Sequence, residues 1–328
     1  MIVGNEFQYL VTKGENVMKL LKRILLAMTA VAMMVVMLSS MAFAANGKKY
    51  TYTVFGDSVS AGYGLSGYEN LDLDYNAFRW NVIENSFPDI IRDTKGAKIN
   101  NFAHSAYRTT DLRVLLDRDF TGDRMAGYRL PSVNRDERNI DWTLVEQYRD
   151  EVEAAVKASN LITVEIGVND ASMPALNATE TFTDSLTSAL TLNLPRVIKD
   201  VTFYGALAEG ELNAFRLFSQ NFDAIIENIH KYNSKAKIVV IGNFNPMKDY
   251  KVPAGFGLPI GPFVEPIFAN QNNYMENQSP MRQYYDYVDI TDVKTHMNDP
   301  ESPMYGADFH PTYNGHKQIA QRVLAKVR

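Results

Sequence analysis

The chain has 328 residues, of which 46% are hydrophobic, and its formal net charge is −5. That length suffices for a full hydrophobic core in one or two domains. The acidic balance argues against nucleic acid or an anionic membrane surface as the main partner. Because the sequence contains no cysteine, it excludes disulfides, a thiol nucleophile and cysteine-based metal sites.

The N-terminal region has the composition of an export signal. Residues 18–23 form a basic head, residues 24–38 form an apolar run, and Ala42-Phe43-Ala44 places small residues at both recognition positions of a cleavage site. This order predicts a secretory signal peptide that is removed before Ala45. The alternative is an uncleaved membrane anchor, which needs about 20 apolar residues. We therefore expect a secreted or cell-surface protein without stable membrane insertion after cleavage.

Short apolar segments alternate with helical patterns along the rest of the chain. Strands are predicted over residues 49–55, 97–101, 161–166, 237–241 and 285–290. Apolar residues that recur every three or four positions predict helices over 212–230 and 313–327. Such alternation requires crossover connections and therefore predicts an α/β fold, a three-layer α/β/α sandwich with a mainly parallel sheet.

Two stretches, residues 119–141 and 247–283, do not follow the alternation. They are polar or rich in proline, and we expect both to be insertions over one end of the sheet. No internal repeat or linker divides the remainder. The sequence thus predicts an upstream segment and signal peptide over 1–44 and a single domain over 45–328.

Four short blocks place reactive or hydrogen-bonding side chains next to predicted element ends. Gly56-Asp57-Ser58 follows the first strand and residues 101–106 follow the second. Residues 167–170 follow the third strand, and residues 308–311 precede the last helix. Each block alone is typical of a turn. However, the carboxyl ends of parallel strands meet at one edge of the sheet, where ligands bind in open α/β folds.

Taken together in this order, the four blocks resemble the SGNH/GDSL hydrolase family, and the resemblance covers the chain from Tyr50 to the C-terminus. It implies a flavodoxin-like sheet and hydrolysis of esters through an acyl-enzyme, without metal or organic cofactor. It also implies Ser58 as nucleophile, and His310 supplies the base that a serine hydroxyl needs within hydrogen-bond reach. The implied oxyanion-hole donors are the backbone NH groups of Ser58 and Ala106 and the side-chain amide of Asn169.

The sequence departs from the family pattern at two positions. Ala106 stands where the family usually has Gly, so we expect its NH to donate if the loop avoids positive φ. Ala307 stands where the family commonly has the catalytic Asp, three residues before the His. Two acceptors remain for the second ring NH of His310, namely the carboxylate of Asp308 and a main-chain carbonyl near Ala307. We predict Asp308, because a charged acceptor stabilises the imidazolium better.

The other titratable residues of interest receive structural interpretations. His104 fits a structural loop position better than a catalytic one. The remaining histidines, His230, His296 and His316, lack metal-ligand spacing, so no metal site is predicted. Side-chain to backbone bonds from Asp57 and Asp170 are expected to hold their loops.

The predicted function is hydrolysis of carboxylic esters, by a carbohydrate esterase or a lipase-like acylhydrolase. The acidic body favours a polysaccharide-linked or small acyl ester as substrate, although Phe256, Leu258, Phe263 and Ile267 offer the material for an apolar acyl pocket. The alternative is a catalytically inactive surface-binding protein that keeps the hydrolase fold. In that alternative, Ala106 and Ala307 mark lost activity.

Overall fold

The computed structural model of the chain describes residues 50–68, 81–120, 142–172, 194–246, 248, 261–306 and 308–327. Tyr50–Arg328 forms one compact unit. The predicted signal peptide, the segment 121–141 of the first predicted insertion and most of 247–260 lie outside the described residues. In the part of the chain that the structure describes, no helix combines the length and apolarity needed to cross a membrane.

Within the described residues, five parallel strands form one sheet. They are β1 (Thr51–Gly56), β2 (Lys98–Asn101), β3 (Leu161–Glu165), β4 (Lys237–Ile241) and β5 (Asp286–Val288). Their order is β2-β1-β3-β4-β5, and every neighbouring pair is parallel. This is the flavodoxin-like order of doubly wound sheets. The predicted strands and the parallel α/β/α architecture are confirmed.

Helices cover both faces of the sheet. They are α1 (Ser58–Ala61), α2 (Phe87–Lys95), α3 (Thr109–Leu116), α4 (Trp142–Ala158), α5 (Leu194–Tyr232), α6 (Gly261–Asn273) and α7 (Tyr313–Lys326). Leu112 of α3, Val152 of α4 and Phe218 of α5 belong to one hydrophobic core, whereas Phe87 of α2 and Ile319 of α7 belong to a second. The sheet therefore lies between two apolar layers, which gives the three-layer sandwich.

The central strands β3 and β4 are largely apolar because both of their faces are buried. In β4, Ile238 and Val240 pack in the core of α3, α4 and α5, while Val239 and Ile241 pack in the core of α2 and α7. Successive side chains of a strand point to opposite faces, so a strand between two helical layers needs a continuous apolar run. Such a run is readable in the sequence, which explains why the strand predictions succeeded.

Two helical regions differ from the sequence prediction. α5 begins at Leu194, whereas the sequence predicted a start at 212. The prediction missed the N-terminal half because Gly205 and Gly210 each lower helix propensity by about 1 kcal/mol. The second half of the predicted 247–283 insertion is also helical, as α6 followed by a π-helix over Tyr274–Gln278. Pro266 lies inside α6, where proline removes a backbone donor and usually ends a helix. Burial of Phe268 and Met275 holds this region helical in spite of the proline.

The strand order determines where the functional loops meet. From β1 the chain crosses to β2 on one side, and β3 then lies on the other side of β1. The loops after β1 and β3 therefore leave the carboxyl edge in diverging directions and open a crevice between them. Ser58 begins the helical turn that follows β1, and Asn169 lies in the helical turn over 168–172 that follows β3.

Candidate active site

Ser58 is the first residue of the short helix α1, which follows β1 after a tight turn at Asp57. Gly56 permits this turn, because a Cβ there would lie 2.1 Å from the Ser60 Oγ and 2.7 Å from the Glu165 carbonyl oxygen. Asp57 caps α1 by accepting a hydrogen bond from the Val59 NH at 3.0 Å, which confirms its predicted loop-holding role. The turn leaves Ser58 partly exposed at the carboxyl edge of the sheet.

His310 lies beside Ser58 and contacts two partners through its two ring nitrogens. Its Nε2 is 2.9 Å from the Ser58 Oγ, and its Nδ1 is 2.6 Å from the Asp308 Oδ1. The same carboxylate oxygen accepts the His310 backbone NH at 3.0 Å. The Tyr63 ring covers one face of the imidazole, with 4.2 Å between ring centroids. The three groups thus form one hydrogen-bonded row from hydroxyl to imidazole to carboxylate.

The Asp308 carboxylate is buried yet held in its charged form. Burial raises the pKa of Asp308, but the hydrogen bond and charge of His310 outweigh that effect and leave the pKa below its usual value. An ionised acceptor at Nδ1 stabilises an imidazolium when His310 takes up a proton. The other acceptor considered from the sequence, a carbonyl near Ala307, falls at a residue outside the described ranges.

The candidate oxyanion donor Ala106 adopts a left-handed backbone, with φ of 65°. The condition that the sequence set for donation by Ala106, a loop that avoids positive φ, is therefore not met. A left-handed conformation costs a residue with a Cβ roughly 1–2 kcal/mol, which accounts for the glycine usual at this position in the family. No acceptor within the described part of the chain contacts the Ala106 NH, so the turn presents a donor despite the strain.

The Asn169 amide stands at the site but already has acceptors. Its Nδ2 donates to the Tyr107 carbonyl oxygen at 2.8 Å and contacts the Asp57 Oδ2 at 3.3 Å. The longer contact is the weaker one. An oxyanion next to Ser58 would therefore compete with Asp57, and not with the Tyr107 carbonyl, for one amide hydrogen.

A buried pair of carboxyl groups lies directly beneath the nucleophile turn. Asp57 and Glu165 are both fully buried, and Glu165 Oε2 accepts from the Ser60 NH at 3.2 Å and from its hydroxyl at 2.9 Å. Burial, and then the charge of Glu165, raise the pKa of Asp57 well above its usual value; burial likewise raises the pKa of Glu165. Sequence reasoning missed Glu165, because the last residue of a strand gives no signal of a contact with residues 57–60.

The remaining polar candidates hold loops in place. Asp170 accepts from both the NH and the hydroxyl of Thr109, at 2.9 and 2.5 Å, as predicted for a loop-holding residue. Burial raises the pKa of Asp170 to about 6. His104 is fully buried, contacts the Ser105 carbonyl oxygen through Nδ1 at 2.8 Å and stacks on Tyr107. Among the residues with described positions, no cluster of three His, Asp or Glu side chains could hold a metal ion.

A serine, a histidine and a carboxylate in one hydrogen-bonded row at the carboxyl edge of a parallel sheet are the arrangement of a serine hydrolase. The chain belongs to the GDSL-like Lipase/Acylhydrolase family, whose model matches residues 54–318. It is accordingly a hydrolase that acts on ester bonds.

Solved structures of similar fold include two secreted or lipolytic enzymes of Streptomyces. Phospholipase A1 from Streptomyces albidoflavus NA297 is 14% identical, with 85% of this chain and 99% of that chain covered and a TM-score of 0.48. The extracellular lipase from Streptomyces rimosus is 16% identical, with 85% and 98% covered and a TM-score of 0.47. At these values the likeness carries no argument about substrate. A search of curated proteins gave no significant match.

Proposed function

We propose that this protein is an exported serine esterase that hydrolyses carboxylic esters through an acyl-enzyme. The observation that carries the proposal is the row of contacts from the Ser58 hydroxyl to His310 at 2.9 Å and from His310 to Asp308 at 2.6 Å. These distances are within hydrogen-bond reach for proton transfer. The export step rests on the signal-like sequence before Ala45.

In this scheme, the Ser58 Oγ attacks the ester carbonyl carbon while His310 Nε2 takes the hydroxyl proton. Asp308 holds the ring through Nδ1 and stabilises the imidazolium. The negative charge that develops on the carbonyl oxygen is stabilised by hydrogen bonds donated by the NH groups of Ser58 and Ala106 and by the Asn169 amide. His310 then returns the proton to the departing alcohol oxygen, which leaves an acyl group on Ser58.

Water completes the reaction by the same groups in reverse order. His310 takes a proton from water, the resulting hydroxide oxygen attacks the acyl carbon, and the proton passes back to the Ser58 Oγ as the carboxylic acid departs. Every step uses side chains and backbone groups of this chain.

The substrate proposed is a polysaccharide-linked or small acyl ester, with a lipid-like acyl ester as the second class. Support for an open site that accepts a bulky alcohol comes from Tyr63, which lies against His310 and is 40% exposed. Of the four residues predicted to offer an apolar acyl pocket, Phe256 and Leu258 lie outside the described ranges. Phe263 and Ile267 belong to α6, and Ile267 is partly buried there.

Two measurements test the proposal. A serine-directed phosphonate should label Ser58, identified by peptide mass spectrometry, whereas an inactive binding protein with the hydrolase fold would give no label. A hydrolysis panel of acetylated sugars and of aryl esters with short and long acyl chains then assigns the substrate class. Turnover of none of them, together with absent labelling, would contradict an esterase.

A further inference from the structure

The proposed mechanism leaves unused the two buried carboxyl groups beneath the nucleophile, those of Asp57 and Glu165. Glu165 is the last residue of β3 and pairs in register with Gly56, the residue before Asp57. Both side chains are fully buried. No NH or hydroxyl donor among the described residues contacts Glu165 Oε1. A buried carboxylate oxygen without a donor is costly, so the pair calls for a proton.

The surroundings of the pair disfavour two negative charges. Burial raises the pKa of Asp57, and the charges of Glu165 and of Asp170, in the turn after β3, raise it further. A hydrogen bond between the Asp57 and Glu165 carboxyl groups also acts on both pKa values. Such a bond requires a proton on one of the two groups. Two carboxyl groups that share a buried site in this way hold one proton between them.

The donors around the pair place the negative charge on Glu165. Its Oε2 accepts both the NH and the hydroxyl of Ser60, at 3.2 and 2.9 Å, and donors to the charged form favour that form. Asp57 accepts one backbone NH, from Val59 at 3.0 Å. Its contact with Asn169 Nδ2 is 3.3 Å long, whereas an amide donor approaches an ionised carboxylate more closely. The proton therefore belongs on Asp57.

The charge of Asp57 matters because its neighbour Asn169 is a candidate donor of the oxyanion hole. An ionised Asp57 would hold an amide hydrogen of Asn169 in a charge-assisted bond and place a negative charge beside the developing oxyanion. A neutral Asp57 is a weaker acceptor and adds no charge. The Tyr107 carbonyl oxygen accepts from the same amide at 2.8 Å, so a neutral Asp57 leaves the second hydrogen for the substrate.

We propose that Glu165 is a positioning residue for the oxyanion hole, which takes the negative charge of a one-proton Asp57–Glu165 pair and so keeps the Asn169 amide available to the substrate. This inference rests on the proposed function, because it concerns one donor of that mechanism. The oxyanion forms only as the reaction proceeds. A change in its stabilisation should therefore alter kcat and leave KM nearly unchanged.

Two substitutions of nearly unchanged shape should have different effects. In D57N, the amide nitrogen donates to Glu165 as the protonated carboxyl does, and position 57 stays neutral. In E165Q, the amide nitrogen donates to Asp57 and favours its ionised form. We expect D57N to keep at least about a third of kcat and E165Q to lose roughly tenfold or more, with KM of both within about twofold of the native value. Equal losses in the two folded variants, or native kcat in E165Q, would overturn the proposal.

The double variant D57N/E165Q separates charge from packing. It combines both changes of shape but has no carboxylate beside Asn169, so its kcat should be at least about threefold above that of E165Q. Two packing defects would instead add. A kcat of the double variant at or below that of E165Q would contradict the proposal.

Infrared spectroscopy tests the shared proton without measuring turnover, and it decides the matter if the variants do not fold. At about pH 8, ordinary Asp and Glu side chains are ionised, and so is Asp170, because burial raises its pKa only to about 6. The native protein should nevertheless show the C=O stretch of a neutral carboxyl group, and folded D57N should lack it. Absence of this band from the native protein would overturn the inference and leave the proposed function intact, whereas ester hydrolysis by S58A would overturn the proposed function itself.

Discussion

At the scale of single residues, the motif blocks predicted Ser58, His310 and Asn169 as site residues, whereas Asp308 was predicted as a charged acceptor close to His310 in the chain. Their distances and the occupied amide of Asn169 came from the structure. Glu165 and His296 carry no such signature. The contact of Glu165 with Ser60 joins residues 105 positions apart, and the contact of the His296 NH with the His310 carbonyl oxygen joins residues more than ten positions apart. Only a folded chain reveals those contacts.

Asp308→Asn tests the acid of the row. The variant keeps the size of the side chain but removes the charge that stabilises the His310 imidazolium, so kcat/KM on a short-chain aryl ester should fall by roughly several hundred-fold or more. Steady-state kinetics with circular dichroism as a check on folding measures this. A loss below about tenfold, or about 1.4 kcal/mol of transition-state stabilisation, would assign the orienting role to another group.

Ala106 offers a second prediction, on stability. Replacing it with Gly removes the strain of the left-handed backbone but adds entropy to the unfolded chain, so the free energy of unfolding should change by only about 1 kcal/mol or less and activity should persist. Ala106→Val places a β-branched residue at positive φ and should lower both Tm and kcat. Thermal unfolding of the two variants measures this, and a more stable A106V would contradict the described backbone.

At the scale of elements, the strands were predictable within about two residues, because short runs rich in β-branched and aromatic residues and bounded by polar residues favour strands over helices. α5 and α6 were not predicted in full. Glycine and proline weaken the local helix signal there, and burial of residues such as Phe268 and Met275 is a property of the assembled core.

The contact between α2 and α7 predicts a pH-dependent stability. His316 of α7 is fully buried, and its Nδ1 accepts the Phe87 NH of α2 at 3.2 Å. Burial, and then the charges of His310 and His296, lower the pKa of His316 to about 3. In the unfolded chain a histidine has a pKa of about 6.5. The stabilisation from keeping this ring neutral is thus present above pH 6.5 and lost as the pH falls from 6.5 towards 3, by up to about 1.4 kcal/mol per pH unit.

His316→Asn retains an acceptor for the Phe87 NH but removes this titration. Urea unfolding of the variant between pH 8 and pH 4 should therefore show a shallower loss of stability with falling pH than the native protein shows. At pH 8, the difference in free energy of unfolding between the two proteins gives the stability lost through poorer packing of the replacement side chain at this position, and it serves as the reference for the lower pH values. Equal slopes in both proteins would mean that His316 gains no proton on unfolding in this range.

At the scale of the whole molecule, the first 44 residues predict a mature protein that begins at Ala45, because small residues stand at both recognition positions of the cleavage site. Intact mass spectrometry of material exported from a bacterial host measures the N-terminus. A chain that still carries residues 18–44 would contradict both cleavage and the proposed secreted form.

The central claim is that Ser58 carries the chemistry, and its most direct test compares Ser58→Ala with Ser60→Ala by kcat/KM on a short-chain aryl ester and by Tm. S58A loses the nucleophile at a partly exposed turn, so kcat/KM should fall by at least about a thousandfold while Tm stays nearly unchanged. S60A should show the opposite pattern, because it removes the hydroxyl bonded to buried Glu165; Tm should fall and most of the turnover should remain. Ester hydrolysis by S58A at more than about a tenth of the native rate would contradict the account.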